Sequence, residues 1–152
     1  MITIRNMNQT DTAQIMDMMR VFYASPAVLT NGSDEIFRTD IEACLGNNPY
    51  LEGFVFTEGD DILGYAMLAK SFSTEYGLPC IWIEDIYIKH EHRGKGIGKH
   101  FFAELERRYP HAVLKLEVEP ENLGAMRMYE RCGYQTVHYT EMKKILTSPE
   151  KE

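Results

Sequence analysis

A single α/β domain is the expected fold of this chain, and three observations lead there. Its 152 residues are enough for one domain with a buried core of its own. Apolar residues recur at three- and four-residue spacing in some segments and at alternate positions in others. Breaks rich in glycine and proline separate these segments, with no internal repeat and no linker. The composition agrees, since 44% hydrophobic and 26% charged residues are ordinary proportions for a globular protein.

The elements follow in order. "MITIRNM" alternates Ile2 and Ile4 with polar residues and reads as a short strand. A helix runs from Asp11 to about Phe22, with Ile15, Met18, Met19 and Phe22 on its apolar face. "SPAVLTNGSDE" is a loop broken by Pro26 and Asn31-Gly32, and Ser33 or Asp34 caps the next helix. That helix spans about Asp34 to Leu45, with Ile36, Phe37, Ile41 and Leu45 as its buried stripe. "LEGFVFTE" and "DILGYAMLAKSF" flank Gly59-Asp60-Asp61 as an antiparallel hairpin. "CIWIEDIYIK" is another apolar, β-branched run of strand length. After a glycine-rich turn, a helix to about Arg108 buries Ile97, Phe101, Phe102 and Leu105. "AVLKLEVE" is a strand, and "NLGAMRMYERCGY" a short helix with Ala125, Met128, Tyr129 and Cys132 on one face, stopped by Gly133. "YQTVHYTEMKKIL" is expected as a last strand and "TSPEKE" as a tail. The order is β-α-α-β-β-β-α-β-α-β, a domain over 1–146 and a tail over 147–152.

Charge narrows the function classes. The net charge is −7, yet residues 1–88 hold 4 Lys and Arg against 13 Asp and Glu, while residues 89–152 hold 12 against 10. An acidic half joined to a mildly basic half suggests two ligands of opposite sign. Overall acidity without a concentrated basic stripe disfavours nucleic acid. No apolar run approaches the ~20 residues that cross a bilayer, and the N-terminus has no signal-peptide pattern, so no membrane partner is expected. Cys44, Cys80 and Cys132 are far apart and odd in number, which fits a reducing cytoplasm and no disulfide framework. No CxxC or HExxH occurs, so no metal is expected.

"HRGKGIGKH", at positions 92–100, gathers five basic or potentially basic side chains on a turn containing Gly94, Gly96 and Gly98. A phosphate needs donors that no side chain screens. A helix N-terminus supplies unpaired N–H groups and the positive end of a dipole, and glycines let the amides curl around an anion. The same turn would also serve as a solvated strand-to-helix connection. A Walker A loop and a dinucleotide GxGxxG motif both require glycine where Lys99 stands, so neither is present.

"RGKGIG" resembles the Arg/Gln-x-x-Gly-x-Gly signature of the GNAT superfamily of N-acetyltransferases. Downstream, Asn122, Ala125, Tyr129, Gly133 and Tyr134 fall on that family's second pattern, Asn-x-x-Ala-x-x-x-Tyr-x-x-x-Gly-Phe/Tyr. The element order resembles the family fold across nearly the whole chain. The resemblance implies a mixed, mostly antiparallel sheet flanked by helices, with its fourth and fifth strands splayed apart. It also implies acetyl-CoA as cosubstrate, a primary amine as acceptor, and a homodimer.

Residue by residue, the resemblance implies that the amides from Arg93 through Gly98 (Arg93, Gly94, Lys95, Gly96, Ile97, Gly98) bind the pyrophosphate, with Lys99 nearby. The pantetheine arm would lie along Ile86, Tyr87 and Ile88, pairing with the backbone of Ile86 and Ile88. Asn122 and Ala125 would flank it from the other side, Asn122 also capping its helix. Tyr129 stands at the position of the family's general acid. For the base, "WIEDIYI" offers Glu84 and Asp85. Adjacent strand residues face opposite sides unless a bulge intervenes. The run most resembles the "LED" strand of the diamine and polyamine branch, where the glutamate is the base, so Glu84 is preferred. A backbone amide near Ile86 would hold the oxyanion. The Glu-Gly-Trp element found near the end of polyamine enzymes is absent. Glu75, Tyr76, Asp34 and Glu35 are candidates for recognising a cationic acceptor. Two alternatives stand beside a small-amine acetyltransferase: a non-catalytic acyl-CoA-binding module, and an enzyme acting on a protein amine.

Overall fold

The computed structural model describes residues 1–146; the tail expected over 147–152 lies outside them. Strand β1 covers Ile2–Asn6, and a 3-10 turn over Gln9–Asp11 leads into helix α1, Thr12–Tyr23. Helix α2 covers Asp34–Leu45, with the Ser33 hydroxyl accepting from the Ile36 amide at its start. Strands β2 (Leu51–Glu58), β3 (Asp61–Ser73) and β4 (Leu78–Ile88) follow. Then come helix α3 (Ile97–Arg108), strand β5 (Val113–Leu116) and helix α4 (Leu123–Arg131).

The five strands form one sheet in chain order, β1-β2-β3-β4-β5. Every neighbouring pair is antiparallel except β4 and β5, which are parallel. Helices cover both faces. On one, Ile15, Met16, Met18 and Met19 of α1 and Phe37 and Ile41 of α2 pack on Val55, Tyr65, Met67 and Tyr87. On the other, Ile97, Phe101, Phe102 and Leu105 of α3 pack on Phe54, Phe56, Leu68, Ile81 and Ile83, with Met128 and Tyr129 of α4 against the same cluster. The helical periodicity thus marked the right faces, except that Ile36 is 51% exposed. It sits in the first turn of α2, where the neighbouring Phe37 takes the buried position.

Two expectations are corrected. Strand β5 ends at Leu116 instead of running to Glu119, because β4 leaves it there. The last strand over Tyr134–Leu146 does not form; no strand is assigned to this segment. Val137, Tyr139 and Ile145 stand at odd positions while Met142 and Leu146 stand at even ones, and all five are exposed. No single strand face collects them, so alternation gives the segment no buried side. Within this segment the Tyr139 hydroxyl donates to Glu75 Oε2 at 2.9 Å.

Candidate active site

The site begins at an irregularity in β4. Ile83 pairs with Leu68 and Asp85 with Met67, so Glu84 is an extra residue without a partner on β3. Such a bulge resets which face each side chain takes. Before it, Ile81 and Ile83 join the α3 side of the core. After it, Asp85 meets tyrosines of the α1 side, Tyr87 joins that core, and Ile86 and Ile88 return to the α3 side. Simple alternation fails here, and the two adjacent carboxylates take different environments.

The bulge also parts two strands. Strand β5 pairs with β4 only from Cys80 through Ile83, while β4 continues to Ile88. The Lys89 amide donates to the Leu63 carbonyl at 2.9 Å, and by alternation Tyr87 bonds toward β3 while Ile86 and Ile88 direct their backbone into the gap. A cleft of about 1340 Å³ occupies this gap. Glu84, Ile86, Tyr87 and Ile88 line it from β4; Asp85 does not.

At one end of the cleft lies the glycine turn. Gly94 and Gly96 have φ of 76° and 80°, a left-handed conformation that side chains disfavour. Gly96 is the N-cap of α3, whose first internal bond runs from His100 N–H to the Gly96 carbonyl at 3.0 Å. The amides of Ile97, Gly98 and Lys99 are therefore free of intrahelical partners. Those of residues 94–99 make no hydrogen bond among the described residues. Arg93 differs: its amide donates to the His90 carbonyl at 3.2 Å, its Nε to the Ile88 carbonyl at 2.8 Å, and its guanidinium lies over the Tyr87 ring. The available cradle thus starts at Gly94. Gly94, Gly96, Ile97, Gly98 and Lys99 line the cleft, and Lys95 does not.

Helix α4 forms the opposite wall. Asn122 caps it, its Oδ1 accepting from the Ala125 amide at 3.3 Å, and both residues line the cleft. Tyr129 is half-buried there, its ring edge-on to Phe102 at 5.8 Å. Burial pushes its hydroxyl pKa up, so the phenol keeps its proton through neutral pH. Across the cleft, Glu84 is also displaced upward, first by partial burial, then by the charges of Asp85 and Glu141. A carboxylate of raised pKa and a protonated phenol on one cleft can accept and donate a proton in a single turnover.

Asp85 is 5% exposed. Its Oδ1 accepts from the Tyr23 hydroxyl at 2.9 Å and its Oδ2 from the Tyr65 hydroxyl at 2.7 Å. Burial raises its pKa, and the two phenols hold back part of the rise. Asp40 on α2, which the sequence reading passed over, joins this group. Burial first, then the charges of Asp85 and Glu84, raise it to about 6. An acidic residue beside Phe37 and Ile41 of the α2 apolar stripe was the signal available. Also unforeseen is the wall contributed by Ser25–Leu29, between α1 and α2, which lines the cleft. The four proposed recognition residues do not line it. Asp34 is engaged bidentately by Arg20 at 3.0 Å, and Glu75 by Tyr139. Tyr76 and Glu35 are exposed.

Comparison with known proteins gives the geometry a lineage. A thialysine N-epsilon-acetyltransferase of Bos taurus is 29% identical over 153 residues, spanning 92% of this chain and 88% of the relative. The Mus musculus protein of the same name is 26% identical over 91% of this chain and 86% of its own. Among solved structures, a possible acetyltransferase from Clostridium difficile 630 superposes with a TM-score of 0.82 at 20% identity, covering 97% of this chain and 99% of that one. The aminoglycoside N-acetyltransferase AAC(6')-Iy, solved with a CoA-linked bisubstrate analogue, shares the fold at a TM-score of 0.77 and 16% identity, covering 97% of this chain and 99% of that one. The model of the acetyltransferase (GNAT) family matches residues 14–134, a span holding the bulge, the glycine turn and α4. This chain belongs to the GNAT family of acetyltransferases and is an acyltransferase.

Proposed function

We propose that the chain transfers an acetyl group from acetyl-CoA to the primary amine of a small cationic acceptor, by direct attack without a covalent enzyme intermediate. The observation that carries this reading is the parting of β4 from β5 at Glu84, which sets a carboxylate and the Tyr129 phenol on one cleft. Acetyl-CoA, when bound, would supply the activated thioester. The chain supplies amides of 94–99 and Lys99 for the pyrophosphate, backbone of Ile86 and Ile88 for the pantetheine arm, and Asn122 with Ala125 on the far side. Glu84 takes the proton that the acceptor ammonium must lose, and Tyr129 Oη gives one to the departing sulfur. A backbone amide near Ile86 is the donor for the oxyanion.

An ammonium acceptor fits the negative charge around Glu84, where Asp85, Asp40 and Glu141 all contribute. The names of the curated relatives point the same way, to the ε-amine of a lysine analogue. A homodimer and a cytoplasmic setting complete the proposal. The outer edge of β5, which no further strand pairs among the described residues, and the exposed apolar side chains of 137–146 support the first; three free cysteines support the second.

The test is release of CoA thiol from acetyl-CoA with a panel of lysine analogues, diamines and polyamines. Tyr129→Phe is expected to lower kcat by about 10²–10⁴-fold while CoA binding survives. CoA binding without turnover on any amine, protein N-termini and lysines included, would leave only a binding module.

A further inference from the structure

We infer that Asp85 is a positioning residue for the transfer: clamped between Tyr65 and Tyr23, it holds the β4 bulge in the form that turns Glu84 into the cleft. The inference rests on the reading of Glu84 as base. Asp85 is itself unsuited to that task, because it lies away from the cleft lining and each of its oxygens already accepts from a phenol.

The clamp joins three elements. Tyr65 is fully buried on β3, two residues from Met67, the register partner of Asp85. On one sheet face that diagonal is within reach of a long side chain. Its hydroxyl has this carboxylate as its partner, and a buried phenol without one is costly. Slippage of β4 by one residue would carry Asp85 to the opposite face, stranding a carboxylate among Ile97 and Phe102 and leaving two phenols unpaired. The clamp therefore penalises the one-residue slip that would withdraw Glu84 from the cleft.

Tyr23 adds a second consequence. It is the last residue of α1, and the chain that follows it forms the Ser25–Leu29 wall of the cleft. The Tyr23–Asp85 bond ties the root of that wall to the strand bearing the base. One carboxylate thus sets the aim of Glu84 through Tyr65 and the width of the acceptor side through Tyr23. The titratable groups facing Asp85 are Tyr65 from β3, Tyr23 from α1, Asp40 and Cys44 from α2, and Glu84 from its own strand. Glu141 from the C-terminal segment faces Glu84.

The test uses the full chain with acetyl-CoA and the best amine of the panel, comparing Tyr65→Phe, Tyr23→Phe, Asp85→Asn and Glu84→Gln. Folding is checked by thermal midpoint and CoA affinity, and kcat and KM are measured against pH. Tyr65→Phe is expected to lower kcat by about 10–100-fold, the scale of a misplaced catalytic group, with the amine KM within about 2-fold. Tyr23→Phe should instead raise the amine KM by about 5–10-fold and leave kcat nearly intact, as loss of ground-state contacts does. In Asp85→Asn the acid limb of kcat/KM should move to lower pH, since Glu84 loses a neighbouring negative charge; the opposite split of kcat and KM in the two phenylalanine variants is what a merely structural role would not produce.

Unchanged kcat and KM in both phenylalanine variants would overturn the clamp, and they decide the matter even if Asp85→Asn fails to fold. Loss of turnover at every pH in a folded Asp85→Asn, matching Glu84→Gln, would make Asp85 the base and also overturn it. Full activity in Glu84→Gln would refute the base assignment itself, a failure distinct from the other two.

Discussion

Asp40 is a half-buried carboxylate on α2 with no hydrogen-bond partner among the described residues. Its ordinary pKa is about 3.9, against about 6 in the folded chain. Below the lower value the proton is bound in both states. Between the two, the folded state holds a proton that the unfolded chain has released, so stability falls as pH rises through this window. Above it both forms are ionised and the full cost persists. Asp40→Asn is therefore expected to raise the thermal midpoint at pH 8 and leave it nearly unchanged near pH 4, as read by calorimetry at both values. A midpoint equal to that of the parent at pH 8 would show that neither burial nor the surrounding carboxylates press on this charge. The sequence is silent on this pressure for a physical reason. Helical spacing places Asp40 beside Phe37 and Ile41, but nothing in α2 reveals that Asp85 lies across from it.

Elements differ in how much of themselves they wrote into the chain. Helix α2 runs over the predicted Asp34–Leu45, because Ser33 caps it and Gly46 ends it, both local causes. The bulge in β4 has no local cause: it appears only when Ile83 and Asp85 take partners on β3. Strand β4 also depends on a close approach from β3. A Cβ on Gly64 would meet the carbonyl of Tyr87 and, at 3.0 Å, the Phe56 ring. A carbonyl fixed in a ladder cannot step aside as a flexible side chain can. Gly64→Ala is expected to cost about 1–3 kcal/mol of folding stability, the scale of overpacking, measurable by urea denaturation. Because Ile86 and Ile88 share that stretch of β4, CoA affinity should weaken as well. A variant as stable as the parent would mean that β3 and β4 separate more easily than their register suggests.

For the molecule as a whole, acid should act in two opposed stages. The raised carboxylates Asp40, Glu84 and Asp85 gain stability as pH falls toward the unfolded range. Asp11 does the reverse. Arg5 on β1 donates to it at 2.8 and 3.0 Å and the Asn8 amide at 2.9 Å, closing β1 onto α1. Those bonds hold its pKa below the ordinary value, so its contribution is full above about 3.9 and is lost as pH falls through the folded value. The thermal midpoint is expected to rise from pH 8 to about 5 and then drop below about 4. Asp11→Asn should remove about 1.5–3 kcal/mol, the worth of hydrogen bonds to a charged group, at neutral pH. A monotonic fall from pH 8 downward would contradict both assignments. The sequence by itself determined the helices, the hairpin, the glycine turn and the spacing of Asn122 from Tyr129, because caps, periodicity and turn chemistry act between neighbours a few residues apart. Only the tertiary structure decided that Glu84 opens on the cleft while Asp85 is buried, that Arg93 turns back onto Ile88, and that residues 134–146 form no strand. Each of those outcomes depends on a partner distant along the chain, and pairing energy between remote segments leaves no periodic trace in either one.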